Sequence, residues 1–186
     1  MFDNVTKSIR VLSAGSVEKA NSGHPGMPLG MADVGTVLYK NFLKVTNNCP
    51  DWINRDRFVL SAGHGSALLY SLLHFNGFDI SIDDMKNFRQ LNSKTPGHPE
   101  LDTKLGIDIT TGPLGQGFAT GVGLALAESY LSNTFGDKII NHFTYGIVSD
   151  GDLMEGLSQE AAELAALWGL GKLIYIFDDN NISIDG

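Results

Sequence analysis

Three histidines of this chain stand in short turns rich in glycine and proline: His24 in "SGHPG" (22–26), His64 in "SAGHGSALLY" (61–70) and His98 in "TPGHPE" (95–100). An imidazole fixed in a rigid turn can donate, accept or shuttle a proton near neutral pH. A fourth stretch, "TTGPLGQG" (110–117), has the same turn composition without a histidine. Near the C-terminal end, Asp150 and Asn180 lie thirty positions apart, each closing an apolar, strand-like run. A carboxylate and an amide oxygen are hard donors suited to Mg²⁺ or Ca²⁺. Magnesium usually takes a few protein oxygens and completes its shell with phosphate oxygens and water. Taken alone, however, an Asp at a strand end and an Asn in a turn are better explained by capping and turn formation.

Other chemistries fit less well. Zinc would suit three histidines, yet no HxxxH, HExxH or CxxC spacing occurs. There is no GxxxxGK[ST] loop, and "TGVGLAL" lacks the third Gly or Ala of GxGxxG while lying inside a helical stretch. His74, in a helical stretch, and His142, at a strand start, read as structural or solvent-exposed. Cys49, without an activating neighbour, reads as an inert thiol.

The elements that must position these residues follow from periodicity. Val5, Ile9, Leu12 and Val17 predict a helix from Asp3 or Asn4 to Ala20, with a good capping type in front. "NSGHPGMPLG" (21–30) should interrupt it as neither helix nor strand. A helix is expected over 31–43, a polar connection over 44–56, and a buried strand over 57–61 feeding a glycine turn and helix. A small helix at 83–90 precedes a long loop, of the kind that is usually functional or disordered. The helix that follows carries Gly117, Gly121 and Ala125 four apart, a face open to close backbone approach. The last segments read strand (141–150), helix (157–170) and strand (172–180).

Strand, helix, strand in that order is a parallel, right-handed crossover. It brings the carboxyl ends of both strands to one sheet edge, where open α/β sheets bind their ligands. Asp150 and Asn180 then meet. Gly151 admits a phosphate to the backbone, and the helix opening near Leu157 offers its N–H groups. The expected fold is α/β, a mainly parallel open sheet with helices on both faces, and the expected site holds a metal-bound diphosphate.

Composition narrows the partners. A hydrophobic content of 42% and a charged content of 18% over 186 residues fit one ordinary globular domain. The net charge of −8 argues against nucleic acid or an anionic membrane as partner. With one cysteine, no internal disulfide forms, and a reducing cytoplasm is the plain reading. Residues 1–12 are too polar for a signal peptide, and no run of eighteen apolar residues could span a membrane.

In this order, "SGHPG", "RDRFVLSAGH", "TPGHPE", "TTGPLGQG" and the terminal Asp-Gly…Asn pattern resemble the N-terminal, thiamine-diphosphate-binding portion of transketolase. The likeness runs from about residue 5 to Gly186. "TPGHPE" and "GHPGMPLG" favour transketolase over the relative that makes deoxyxylulose phosphate. The resemblance implies reversible transfer of a two-carbon ketol unit between sugar phosphates, with the cofactor as electron sink. It implies that His24 faces substrate and that His98 approaches the donor sugar's reacting hydroxyl. His64 would contact the diphosphate, as would Gly151. Gly112, Pro113 and Leu114 would line the cofactor, with Leu114 near its rings, and Glu155 would be an acid beside the active site at a dimer contact. Asp150, Asn180 and the main-chain carbonyl of Ile182 would hold Mg²⁺ or Ca²⁺. A homodimer or a complementing pyrimidine-binding domain, and a cytoplasmic role in the pentose phosphate pathway, come with the resemblance.

Two departures qualify it. The family pattern begins Gly-Asp-Gly, whereas this chain reads Ser149-Asp150-Gly151. The added Cβ and hydroxyl are either tolerated or weaken diphosphate binding. The family's aminopyrimidine-activating glutamate, its phosphate-binding arginines and a further histidine lie beyond Gly186. Residues 1–186 are therefore expected to form a single cofactor domain, incomplete at its C-terminus, that does not turn over substrate by itself. The alternatives are a non-enzymatic metal/diphosphate-binding module and an inactive remnant.

Overall fold

The structure, a computed structural model, describes residues 2–180. Ile182, expected to offer a metal its carbonyl, lies outside the described residues. Three strands, β1 (Arg57–Leu60), β2 (Thr144–Ser149) and β3 (Leu173–Asp178), form a parallel sheet in the order β1-β2-β3. Leu60 stands opposite Ile147, and Ser149 opposite Asp178, so all three strands end on one edge.

Eight α-helices surround the sheet among the described residues: α1 (Phe2–Ala20), α2 (Gly26–Gly30), α3 (Ala32–Asn41), α4 (Ser66–Phe75), α5 (Ile82–Lys86), α6 (Gln116–Phe135), α7 (Asp150–Met154) and α8 (Gly156–Leu167). Strand alternation divides the core. Phe58, Leu60, Tyr145 and Ile147 point to one face, where they join Ile9, Leu38, Leu68 and Leu72 of the first helices. Val148 and Tyr175 point to the other and meet Phe118, Val122 and Ala161 of α6 and α8. β2, central and covered on both faces, is buried throughout, whereas the edge strand β3 leaves Ile174 39% and Phe177 44% exposed.

Several boundaries differ from expectation. Residues 26–30 do form a helical turn, because Pro28 sits in the first turn of α2, where an N–H has no intrahelical partner to lose. The helix expected over 83–90 is α5, capped reciprocally by Ser81 and Asp84 and finished by Lys86. Arg89, at φ 63°, turns left-handed and donates its N–H to the Thr95 carbonyl at 2.9 Å. Asp150 does not close the strand. Ser149 ends β2, and Asp150 opens α7, a short helix ahead of the one expected from Leu157. The close approach expected on α6 is met by the residue that follows β1 and by β3. A Cβ at Gly117 would lie 2.6 Å from Ser61 Cα, and Tyr175 Oη donates to the Phe118 carbonyl at 2.8 Å.

At the amino end of the sheet a charged network ties loops to strands. Arg55 pairs with Asp108 at 2.5 Å, both side chains under a tenth exposed. Asp108 also accepts from Phe58 N (2.8 Å), and Asp56 accepts from Lys44 N and Phe143 N, both at 2.7 Å. Removing one member of a buried pair leaves the other charge uncompensated. Asp108→Ala is therefore expected to destabilise the chain by about 3–5 kcal/mol, read as a lowered denaturation midpoint. His142 is buried beside this network. Burial, with the positive charges of Arg57, Lys172 and Arg55, pushes its pKa down to about 4. The unfolded imidazole takes a proton more readily, so this contribution to stability holds above the unfolded value near 6.5. It is lost as pH falls through the folded value. His142→Gln should flatten the fall in Tm between those two limits, measured by circular dichroism.

Candidate functional site

At the carboxyl edge, β1 runs into the turn that carries His64, β2 into α7 with Asp150 and Gly151, and β3 into Asp179 and Asn180. The side chain that gathers these pieces is Asp152, fully buried. Its Oδ1 accepts from Ser61 Oγ at 3.1 Å and from Gly115 N at 2.9 Å, and its Oδ2 from Ser149 N at 3.3 Å. The ends of β1 and β2 and the loop entering α6 thus converge on one carboxylate. Local sequence arranges this: Ser149 caps α7 in a capping box with Asp152. Gly115 takes φ 78°, a conformation in which its N–H can reach that carboxylate without a Cβ penalty.

Ser149, where the family pattern has Gly, has extended backbone at φ −125°, which any L-residue adopts. Leu114 reaches over Gly151, where an added Cβ would lie 3.2 Å from Leu114 Cδ1. Pro113 is exposed on the same loop, and Glu155, also exposed, joins α7 to α8 and lies against Gly115.

The histidine turns meet here. The rings of His24 and His64 stand edge to face with centroids 5.2 Å apart. His98 lies over Gly112, whose added Cβ would be 3.2 Å from its ring. Gly63 lets the His64 turn close on the next loop, since a Cβ there would sit 2.7 Å from Thr111 Oγ1. Burial pushes the His64 pKa down, and the charges of His24 and His98 add to this against the opposing pull of Asp152. Burial, then Arg89 and His24, push His98 down as well. Both imidazoles are therefore neutral at pH 7, able to accept as well as donate. His74 lies apart, its Nδ1 2.7 Å from the Ile80 carbonyl, and His142 is at the opposite end of the sheet.

Asp150 Oδ2 is buried and has no hydrogen-bond partner among the described residues. Burial raises the pKa of Asp178; the Asn180 hydrogen bond at 3.3 Å opposes this, and Asp150 and Asp179 reinforce it. Among the described residues no three His, Cys, Asp or Glu side chains cluster as a metal cage, zinc included. One open carboxylate oxygen at the carboxyl edge of a parallel sheet, on the edge that also carries Asn180, fits the chemistry of a magnesium ion that takes its other ligands from phosphate and water. Sequence reasoning missed Asp152, Ser61 and Arg89. Ser149-x-x-Asp152 is a capping-box spacing and could have pointed to the first of them.

These features define the class: an α/β protein with an open parallel sheet whose polar loops gather at the carboxyl edge, the edge at which such sheets bind their ligands. A family model described as "Transketolase, thiamine diphosphate binding domain" matches residues 2–186, and the chain belongs to that family. The transketolase of Bacillus subtilis is 58% identical over 182 residues, covering 96% of this chain and 27% of that protein. A solved transketolase from Leishmania mexicana superposes with a TM-score of 0.96 at 51% identity, over 100% of this chain and 28% of that one. A transketolase from Pichia stipitis, solved in complex with sedoheptulose-7-phosphate, gives 0.94 at 48% identity, over 99% and 28%. The chain spans little more than a quarter of the length of these relatives. No helix among the described residues is long and apolar enough to cross a membrane.

Asp152→Asn keeps the shape but turns an NH₂ group toward a donor that now loses its acceptor. We expect a loss of about 1–3 kcal/mol in chemical denaturation and faster amide exchange at Gly115.

Proposed function

We propose that this chain is the cofactor-binding portion of a transketolase, transferring a two-carbon ketol unit between ketose and aldose phosphates once its partner segments are in place. The observation that carries the reading is the buried, unpartnered Oδ2 of Asp150 at the sheet edge. A buried carboxylate oxygen left without a donor calls for a cation. Asp150 and Asn180, with the Ile182 carbonyl, hold Mg²⁺, and Gly151 and His64 receive the diphosphate. Gly112, Pro113 and Leu114 line the cofactor, and Glu155 lies beside it at a subunit contact. Thiamine diphosphate, when bound, supplies an electron sink for carbanion chemistry.

His24 and His98 hold sugar hydroxyls and move protons. His64 meets the diphosphate as a neutral imidazole, donating a hydrogen bond without a full counter-charge. Sugar phosphates as substrates follow from the family and from the sugar phosphate bound by the Pichia stipitis relative. Residues 1–186 form one cofactor domain, and the site is completed by a second subunit or a pyrimidine-binding domain. The setting is the cytoplasmic pentose phosphate pathway.

Calorimetry with thiamine diphosphate tests the reading. Binding should require Mg²⁺ and weaken roughly 100-fold or more in Asp150→Ala. Binding that is equally tight in EDTA or in the variant would refute it.

A further inference from the structure

Arg89 has no place in the chemistry above, yet it occupies a costly position. Its backbone is left-handed at φ 63°, a conformation rarely adopted by a residue with a long side chain. The bond from its N–H to Thr95 O, 2.9 Å, holds the turn closed. Its guanidinium reaches between two histidine-bearing loops. On one side Nη1 donates to Ser22 Oγ at 2.6 Å, two residues before His24. On the other it packs against Gly97, one residue before His98. A Cβ at Gly97 would be 2.6 Å from Nε and 3.1 Å from Cζ and Nη2. Nε itself is buried without a hydrogen-bond partner among the described residues. Beneath, Cζ stands 5.9 Å from the ring of buried Phe88.

We infer that Arg89 is a positioning residue: seated between Ser22 and Gly97, its guanidinium sets the spacing of the His24 and His98 turns. A planar fork can lie against Gly97 with one face and still reach Ser22 with one nitrogen, which a lysine ammonium cannot do. The seat also places a permanent positive charge by His98. The ionisable groups acting on that imidazole are Arg89 and His24, and His98 in turn acts on His64. Arg89 therefore helps keep His98 uncharged as well as in place. The inference rests on reading His24 and His98 as sugar-facing, but its test needs neither cofactor nor sugar.

The test is NMR of the 186-residue chain, following the pH titration of each imidazole and the ring-to-ring NOE between His24 and His64. Arg89→Gln should raise the His98 midpoint and abolish the NOE. Arg89→Lys, which keeps the charge, should leave the midpoint near that of the parent but still lose the NOE. Ser22→Ala should weaken the NOE without moving the midpoint, and it stands in if Arg89→Gln fails to fold. An NOE retained in Arg89→Gln or left at the parent's intensity in Ser22→Ala, or a His98 midpoint unmoved in Arg89→Gln, overturns the inference. Such a result leaves the cofactor reading intact, whereas a chain that ignores thiamine diphosphate sinks that reading and leaves Arg89 untouched.

Discussion

A carboxylate with no exposure to water must have its oxygens satisfied, or it destabilises the fold by several kcal/mol. Asp152 meets that demand with donors from three separate stretches: Ser61 after β1, Ser149 at the end of β2, and Gly115 at the entrance to α6. Its own main-chain carbonyl accepts from Ser158 Oγ at 2.6 Å, which ties in α8. The loops at the carboxyl edge are therefore held to one another by a requirement of electrostatics, before any ligand arrives. The Arg55–Asp108 pair plays the corresponding part at the amino edge. Between these two clamps the sheet itself needs only apolar packing.

With the loops so fixed, most polar groups at the carboxyl edge are spoken for, and the one anionic exception among the described residues matters. Asp150 Oδ2 is buried next to Gly151 and close enough to Asp178 to raise its pKa, but nothing in the described chain donates to it. Burial is the chief cause that holds His64 and His98 neutral. A site with an open anionic oxygen, near which His64 and His98 are uncharged, suits a cation that brings its own anion. Magnesium diphosphate is such a ligand.

The sequence made the parallel βαβ unit legible because apolar runs and their spacing are local signals. It likewise placed the histidines in turns, since glycine and proline punctuate regardless of tertiary context. What stayed hidden depends on partners distant along the chain. α7 was obscured because its first residues look like the end of a strand, and only the bond between Ser149 and Asp152 separates them. Pro28 looked like a helix breaker because its position within the first turn could not be read. Asp152 serves segments 37 and 91 positions away, and Arg89 one 67 positions away, so no periodicity marks either. The open oxygen of Asp150 is a property of its surroundings, not of its residue type.

The most direct measurement is anomalous diffraction from crystals of the chain grown with thiamine diphosphate and Mn²⁺ in place of magnesium. The account predicts one strong peak within about 2.3 Å of an Asp150 carboxylate oxygen, with diphosphate oxygens in the same coordination shell. A cation bound instead by the histidine turns, or a diphosphate held with no metal at Asp150, would contradict it.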